Sequence, residues 1–196
     1  MARPNQLNEK RRELIPVITN AFADLGYRRA TTAALAKRCG VQENILYRLW
    51  PDKKAMFIAA IGYVYDLSIE IWLRVLAKPD GGKSAAARLL AYEAENLGQF
   101  GHHRIIFAGL NETDDKDVRA ALAEMYLRYQ RFVRDHVLEH RGSRSRTASA
   151  EAANAAWAII GLSTVANITR ELGILSDADR RRLFSTVGVA LLDQQT

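Results

Sequence analysis

Along nearly the whole chain, apolar residues recur three, four and seven positions apart. Alternating apolar–polar runs, the mark of half-buried strands, are absent. The breakers fall between these periodic stretches: Gly26, Gly40, Pro51, Pro79-Asp80-Gly81-Gly82, Gly101 and Arg141-Gly142-Ser143. The pattern predicts helices from about Glu9 to Leu25, from Thr31 to Cys39-Gly40, from Gln42 to Leu49 and from Asp52 to about Ala77. Further helices are predicted over 83–100, 103–111, 115–140, 148–173 and 177–193. Asp115 and Ser176 are suited to cap two of these, because their side chains accept orphan backbone N–H bonds. The segment 141–147, with Arg141, Arg144 and Arg146, reads as an exposed loop. No internal repeat is present, and the class is all-α.

The last two helices carry apolar stripes: Trp157, Ile160, Gly161, Thr164 and Ile168, then Leu183, Phe184, Val187 and Leu191. Small residues at Ala153, Gly161 and Ala190 permit close helix approach. Ala152 to Thr169 is an uncharged run of 18 residues. A membrane span needs about 20 predominantly apolar residues, whereas this run holds Asn154, Ser163, Thr164, Asn167 and Thr169. It reads as a helix buried in a bundle. Two such helices from each of two chains would bury both stripes in a two-fold four-helix bundle, which predicts a homodimer.

Charge changes the picture at one end. Residues 1–54 hold eleven Lys/Arg against five Asp/Glu and so carry the entire net charge of +6; residues 55–196 are balanced. That asymmetry points to an anionic partner for the N-terminal part, nucleic acid foremost. Cys39 is the one cysteine, so no intrachain disulfide forms and a reducing setting fits. The start is polar as far as Arg12 and lacks the apolar core of a secretory signal, so the expected location is cytoplasmic and not membrane-bound. With 48% apolar and 26% charged residues the composition excludes a disordered or disulfide-scaffolded chain.

Residues 31–54 hold the motif that carries function. Thr31 or Thr32 caps a short helix that turns Leu35 and Ala36 inward. Gly40 can take the left-handed conformation that ends it. Val41 plugs the corner, and a second short helix follows with Ile45 or Leu46 and Leu49 toward the core. Two short helices joined by a tight glycine turn make a helix-turn-helix, whose second helix lies in the DNA major groove.

These residues resemble the tetracycline-repressor (TetR) family of bacterial transcriptional regulators. The resemblance is carried by Ala21-Phe22-Ala23-Asp24-Leu25-Gly26-Tyr27, Thr31-Thr32 with Leu35-Ala36, Gly40-Val41, Leu46-Tyr47 and Trp50-Pro51-Asp52-Lys53-Lys54-Ala55. It covers about 50 residues and implies a DNA-binding domain over 1–54, joined to a helical effector-binding and dimerisation domain over 55–196. It implies that Thr31 or Thr32 places a hydroxyl and a helix start on a phosphate, that Tyr47 gives its hydroxyl to the DNA backbone, and that Lys53 pairs with another phosphate. Gln42, Glu43, Asn44, Ile45 and Arg48 would lie at the exposed start of the recognition helix. There Asn44 suits adenine, Arg48 guanine and Ile45 a thymine methyl. Lys10, Arg11 and Arg12 would add phosphate or minor-groove contacts. Three positions depart from the pattern: Gln42 stands where a Ser-type cap is usual, Glu43 sets a carboxylate near phosphates, and Pro16 falls inside the first helix, where a kink or a later start is expected.

Other candidates weigh less. Cys39 reads as a small residue at a helix end, and His136 with His140, i and i+4, as a solvated helix end instead of a metal site. No metal or cofactor is expected. Tyr65, Phe100 and Phe132 belong to a dense aromatic set. Within it Tyr63, Trp72, Tyr92, His103, Phe107, Tyr126, Tyr129 and Trp157 are the candidates to line an amphipathic ligand pocket, which the resemblance also implies. The leading reading is therefore a repressor released from a palindromic operator by a small molecule. A nucleoid-binding protein of the same fold without an inducer is the alternative. A helical-bundle enzyme is remote, for the sequence offers no evident Ser/His/Asp set or Gly-rich phosphate loop.

Overall fold

The computed structural model describes residues 4–79, 81–96, 98, 101–142 and 145–194. Asp80, Phe100, Ser143 and Arg144, named above in turns, the aromatic set and a loop, lie outside the described residues. Among the described residues the secondary structure is helix, without a strand: α1 Pro4–Arg29, α2 Thr32–Cys39, α3 Glu43–Leu49, α4 Lys53–Leu76, α5 Ala85–Asn96, α6 His103–Leu110, α7 Lys116–Arg141, α8 Arg146–Glu171 and α9 Asp177–Asp193. The fold is all-α, with an N-terminal helix-turn-helix.

Local chemistry sets the boundaries. Asp115 Oδ1 accepts from the backbone N–H of Asp117 at 2.8 Å and Val118 at 3.2 Å at the start of α7. Ser176 Oγ accepts from Asp179 N–H at 3.1 Å at the start of α9. A cap missed in the sequence, Ser145 accepting from Ala148 N–H at 3.0 Å, starts α8 two residues before the expected 148. The first helix departs most from expectation. It begins at Pro4, stays helical through Pro16, and leaves helical angles only at Gly26 (φ 73°, ψ 162°). Proline's fixed φ suits a helix; its cost is one lost hydrogen bond and a clash. Around Pro16 that cost is offset by packing, since Leu14, Ile18, Ala21 and Phe22 of the same helix are all buried.

The helices form two compact units. The first comprises Met1–Ser68 and Gly101–Met125, the second Ile69–Phe100 and Tyr126–Thr196. The helix-turn-helix therefore shares its unit with more chain than residues 1–54. Phe57 of α4 packs edge-on to Phe22 at 5.0 Å and against Tyr27 at 4.8 Å, and α6 packs on α1. Ion pairs fasten the same unit: Arg28 with Glu112 at 2.8 Å, and Lys54 with Asp115 at 3.1 Å and Asp117 at 2.6 Å. The two carboxylates, Asp117 foremost, hold the Lys54 ammonium above the usual lysine range. Lys54 in turn holds the Asp115 carboxyl below the usual carboxylate range.

In the second unit Leu90, Val137, Ala152, Ile159, Phe184 and Leu192 lie in one apolar core. Here one expectation is corrected. Phe184, assigned to a dimer face, is 2% exposed and belongs to the chain's own core, and Leu191 packs against that core. The inward face of α9 is Phe184, Gly188 and Leu192, spaced i, i+4 and i+8. Gly188 lets Leu90 of α5 come so close that a Cβ there would stand 2.5 Å from a Leu90 methyl. The opposite faces stay open. Trp157 (44% exposed), Gly161, Val165 and Ile168 line one side of α8, and Val187 is exposed on α9. Ile160, Thr164 and Leu183 are half-buried. By length and composition α4 and α8 are both apolar enough to cross a membrane; each nonetheless packs one face in a protein core, through Met56, Phe57, Ala60 and Ile61 in α4 and through Ala152, Ala155, Ala156 and Ile159 in α8.

One further cluster ties three helices of this unit. Ser84 Oγ is 2.6 Å from His140 Nδ1, and His140 Nε2 is 2.9 Å from Asp193 Oδ1. Ser84 Oγ also accepts from Ala87 N–H at 3.2 Å as the cap of α5. No local signal in the sequence marks this set, because its members lie more than 50 residues apart. The serine hydroxyl is committed as a cap and the cluster acts as a clasp.

Candidate nucleic-acid interface

The interface is built from α2 and α3. Thr31 takes extended angles (φ −80°, ψ 155°), and its hydroxyl accepts from Ala34 N–H at 3.1 Å, so Thr31 and not Thr32 is the cap. Gly40 has φ 64° and ψ 29° at the other end, and the bond from Val41 N–H to the Ala36 carbonyl at 3.1 Å closes the turn. A side chain at Gly40 would be strained in this left-handed conformation. Leu35, Ala36, Leu46 and Leu49 are buried and fix the two helices on α1. Gln42, Glu43, Asn44 and Arg48 are exposed on the short α3, and Ile45 is half-buried beside them. Gln42 stands at the N-cap position without a side-chain cap bond, as its residue type implies. Glu43, in the first turn, is the acid that favours the helix dipole there.

Tyr47 and Lys53 are each anchored by a neighbouring group. Tyr47 is half exposed, and its hydroxyl donates to Thr32 Oγ1 at 3.2 Å, which fixes the ring across α2 and α3. Lys53 Nζ donates to the Tyr27 carbonyl at 3.0 Å and lies 4.3 Å from the centre of the Tyr27 ring. An ammonium has three donors, so this anchoring leaves Lys53 able to bind a phosphate from a set position. Two of the N-terminal basic residues have partners within their own unit. Arg11 Nε donates to the Leu49 carbonyl at 2.7 Å and thereby closes the end of α3, while Lys10 pairs with Glu13 at 2.7 Å. Arg11 thus supports the recognition helix from behind. Cys39, half-buried, has its thiol pushed up by burial, the opposite of a reactive thiolate.

The aromatic candidates fall in both units. Tyr63, His103 and Phe107 belong to the first unit, where His103 is buried with its ring edge-on to Phe107 at 5.7 Å. Trp72, Tyr92, Tyr126, Tyr129 and Trp157 belong to the second. There Trp72 packs on Tyr129 at 5.6 Å and on Phe132 at 5.3 Å, Tyr126 is hydrogen-bonded to Thr164, and Trp157 stands apart on the open face of α8. His136 Nδ1 lies 3.3 Å from Glu139, with its ring on Phe132.

Residues 15–60 match the family described as bacterial regulatory proteins, tetR family. The HTH-type transcriptional regulator YuxN of Bacillus subtilis, itself uncharacterized, is 26% identical over 91 residues, which is 46% of this chain and 31% of that protein. The nucleoid occlusion factor SlmA of Pasteurella multocida is 33% identical over 84 residues, 42% of this chain and 41% of that protein. The chain thus matches well under half the length of either relative. The solved TetR-family transcriptional regulator of Cytophaga hutchinsonii has the same fold, with a TM-score of 0.74 at 15% identity over 97% of this chain and 96% of that one. With a capped α2, a glycine turn and an exposed α3 at the matched positions, residues 15–60 carry the helix-turn-helix pattern of the tetR family of bacterial regulatory proteins.

Proposed function

We propose that the protein regulates transcription as a homodimer that grips a palindromic operator and is released from it by a small molecule. The observation that carries the DNA-binding part is the run of exposed polar residues on α3, Gln42, Glu43, Asn44 and Arg48, on a helix whose other face is locked in the core. All the net positive charge of the chain lies in the same quarter of the sequence, as phosphate binding requires. Asn44 reads adenine, Arg48 guanine and Ile45 a thymine methyl, and Thr31, Tyr47 and Lys53 contact phosphates. Dimerisation through the open faces of α8 and α9, with Trp157, Gly161, Ile168 and Val187, would set two recognition helices about 34 Å apart, one turn of DNA. A ligand that favours another spacing would release the operator.

The test is selection of DNA by the purified protein, followed by titration of the selected site. Asn44→Ala and Arg48→Ala should each cost about 1–3 kcal/mol on that site and little on random DNA. Lys53→Ala should weaken all sequences alike and lower the salt slope by about one. Equal losses on both DNAs for Asn44 and Arg48 would remove the base-reading assignment. The stretch shared with SlmA supports a second reading, a nucleoid-bound factor without an inducer. An operator whose occupancy no small molecule changes would favour it.

A further inference from the structure

Within the second unit, Trp72 Nε1–H donates to Glu93 Oε1 at 2.6 Å. No lysine, arginine or histidine among the described residues pairs with this carboxylate; the indole is its recorded partner. Burial outweighs the indole bond and pushes the Glu93 carboxyl above the usual range. Burial disfavours the charged carboxylate, and no counter-charge stands beside it among the described residues, an arrangement that costs stability unless something else provides the charge. Trp72 is itself fixed by its packing on Phe132 and Tyr129, so the pair is pre-organised.

Glu93 also lines a cleft, with Ala94 of α5, Ala166 of α8 and Phe184 of α9. The cleft has a volume of about 140 Å³, room for a benzene-sized molecule. The arginines on its α8 and α9 walls are already answered. Arg180 is bonded to Asp177 and to the Leu175 carbonyl, Arg181 lies 3.7 Å from Glu95, and Arg170 is engaged as well. Among the described residues of the cleft wall, Glu93 is the ionisable group without a charged partner.

We propose that this cleft is the effector site and takes a small organic cation, a protonated amine or ammonium compound, with its charge against Glu93. The assignment of an effector rests on the regulatory reading above; the cation preference rests on Glu93 alone. A carboxylate kept only to hold the Trp72 indole could be a glutamine at no loss, because an amide oxygen accepts the same bond. That difference makes the proposal testable.

The full-length protein is titrated with benzylammonium, tetraethylammonium and the neutral benzyl alcohol, followed by tryptophan fluorescence and calorimetry. The expected result is saturable binding of benzylammonium at least ten times tighter than that of benzyl alcohol. The affinity should rise with pH through the raised Glu93 carboxyl, since the cation binds the carboxylate and not the acid. Glu93→Gln should erase the preference while the circular dichroism spectrum is retained and the thermal midpoint is not lowered. Equal affinity for amine and alcohol, an unchanged preference in Glu93→Gln, or no saturable binding of either ammonium probe would overturn the proposal. The amine-to-alcohol ratio of the unaltered protein and its pH dependence decide the matter even if the variant does not fold. DNA selection without ligand tests the parent reading separately. A protein that selects DNA but ignores ammonium probes sinks the cation site alone, and one that binds ammonium but no DNA sinks its role as an effector site.

Discussion

A single methyl group added at Gly188 tests the packing of α9 on α5. A Cβ at this position would stand 2.5 Å from Leu90 Cδ1, 2.9 Å from Cδ2 and 3.1 Å from Cγ, against about 3.5–4.0 Å for carbon atoms in contact. Both residues are buried, so Leu90 must leave its rotamer or α9 must retreat. Overpacking of this kind costs about 1–3 kcal/mol. The nearest atoms are side-chain methyls, which places Gly188→Ala toward the low end, and alanine's better helix propensity returns about 1 kcal/mol. Alone, the substitution should therefore destabilise by about 0–2 kcal/mol. Leu90→Ala alone should cost about 2–5 kcal/mol. With Leu90→Ala already present the clash is gone, and Gly188→Ala should stabilise by about 1 kcal/mol. The assay is urea unfolding of the four proteins at one fixed concentration, because association shifts apparent stability. An effect of the same sign and size in both backgrounds would refute the close-approach argument.

Other consequences can be measured directly. Val187→Arg or Ile160→Arg should give a monomer by light scattering, since each would bury an unpaired charge in the proposed interface, and operator affinity should fall with it; a 22.0 kDa monomer for the unaltered protein at micromolar concentration would end the dimer reading. Thr31→Ala should lower stability by about 1 kcal/mol through loss of the α2 cap, and Thr31→Ser should restore most of it. For Glu93 the sign follows from its raised carboxyl. A raised folded-state pKa contributes stability that is complete below the unfolded value of about 4.3 and lost as pH rises through the folded one. Glu93→Gln, with no proton to lose, should therefore gain on the unaltered protein as pH rises through this window in denaturation series; a variant that loses ground would contradict the burial of an unpaired acid.

The helix-turn-helix was legible because its signals are local. A capping threonine, a glycine in the left-handed conformation and buried Leu35, Leu46 and Leu49 all act within 20 residues of one another. The exposed edge of α3 followed from the same spacing. What escaped was set by distant partners. Pro16 announces a break, and only the burial of Leu14, Ile18 and Phe22 overrides it. On α9 the inward stripe runs through Gly188, which carries no apolar side chain, so the stripe was invisible and Phe184 was given to the wrong face. The bond from Arg11 to the Leu49 carbonyl escaped because nothing in the sequence shows that this carbonyl, 38 residues on, awaits a donor. Nothing local marks Glu93, whose hydrogen-bond partner Trp72 lies 21 residues earlier. The clasp of Ser84, His140 and Asp193 escaped for the same reason.

The first unit is assembled from two separated stretches, and that has a consequence for synthesis. A ribosome that has made the segment ending at Ser68 has finished all three helices of the helix-turn-helix, yet α6, which packs on α1, has not been made. Arg28 waits for Glu112, 84 residues later, and Lys54 waits for Asp115 and Asp117. From Ser68 to Met125 is about 57 residues, or roughly 3–11 seconds at ordinary rates of translation. Through that interval the nascent α1 exposes the apolar side that α6 will cover, and a chain that stalls before Gly101 presents the reading head without its backing. The cell should meet such a product as a substrate for chaperones and proteases before it meets it as a competitor for DNA.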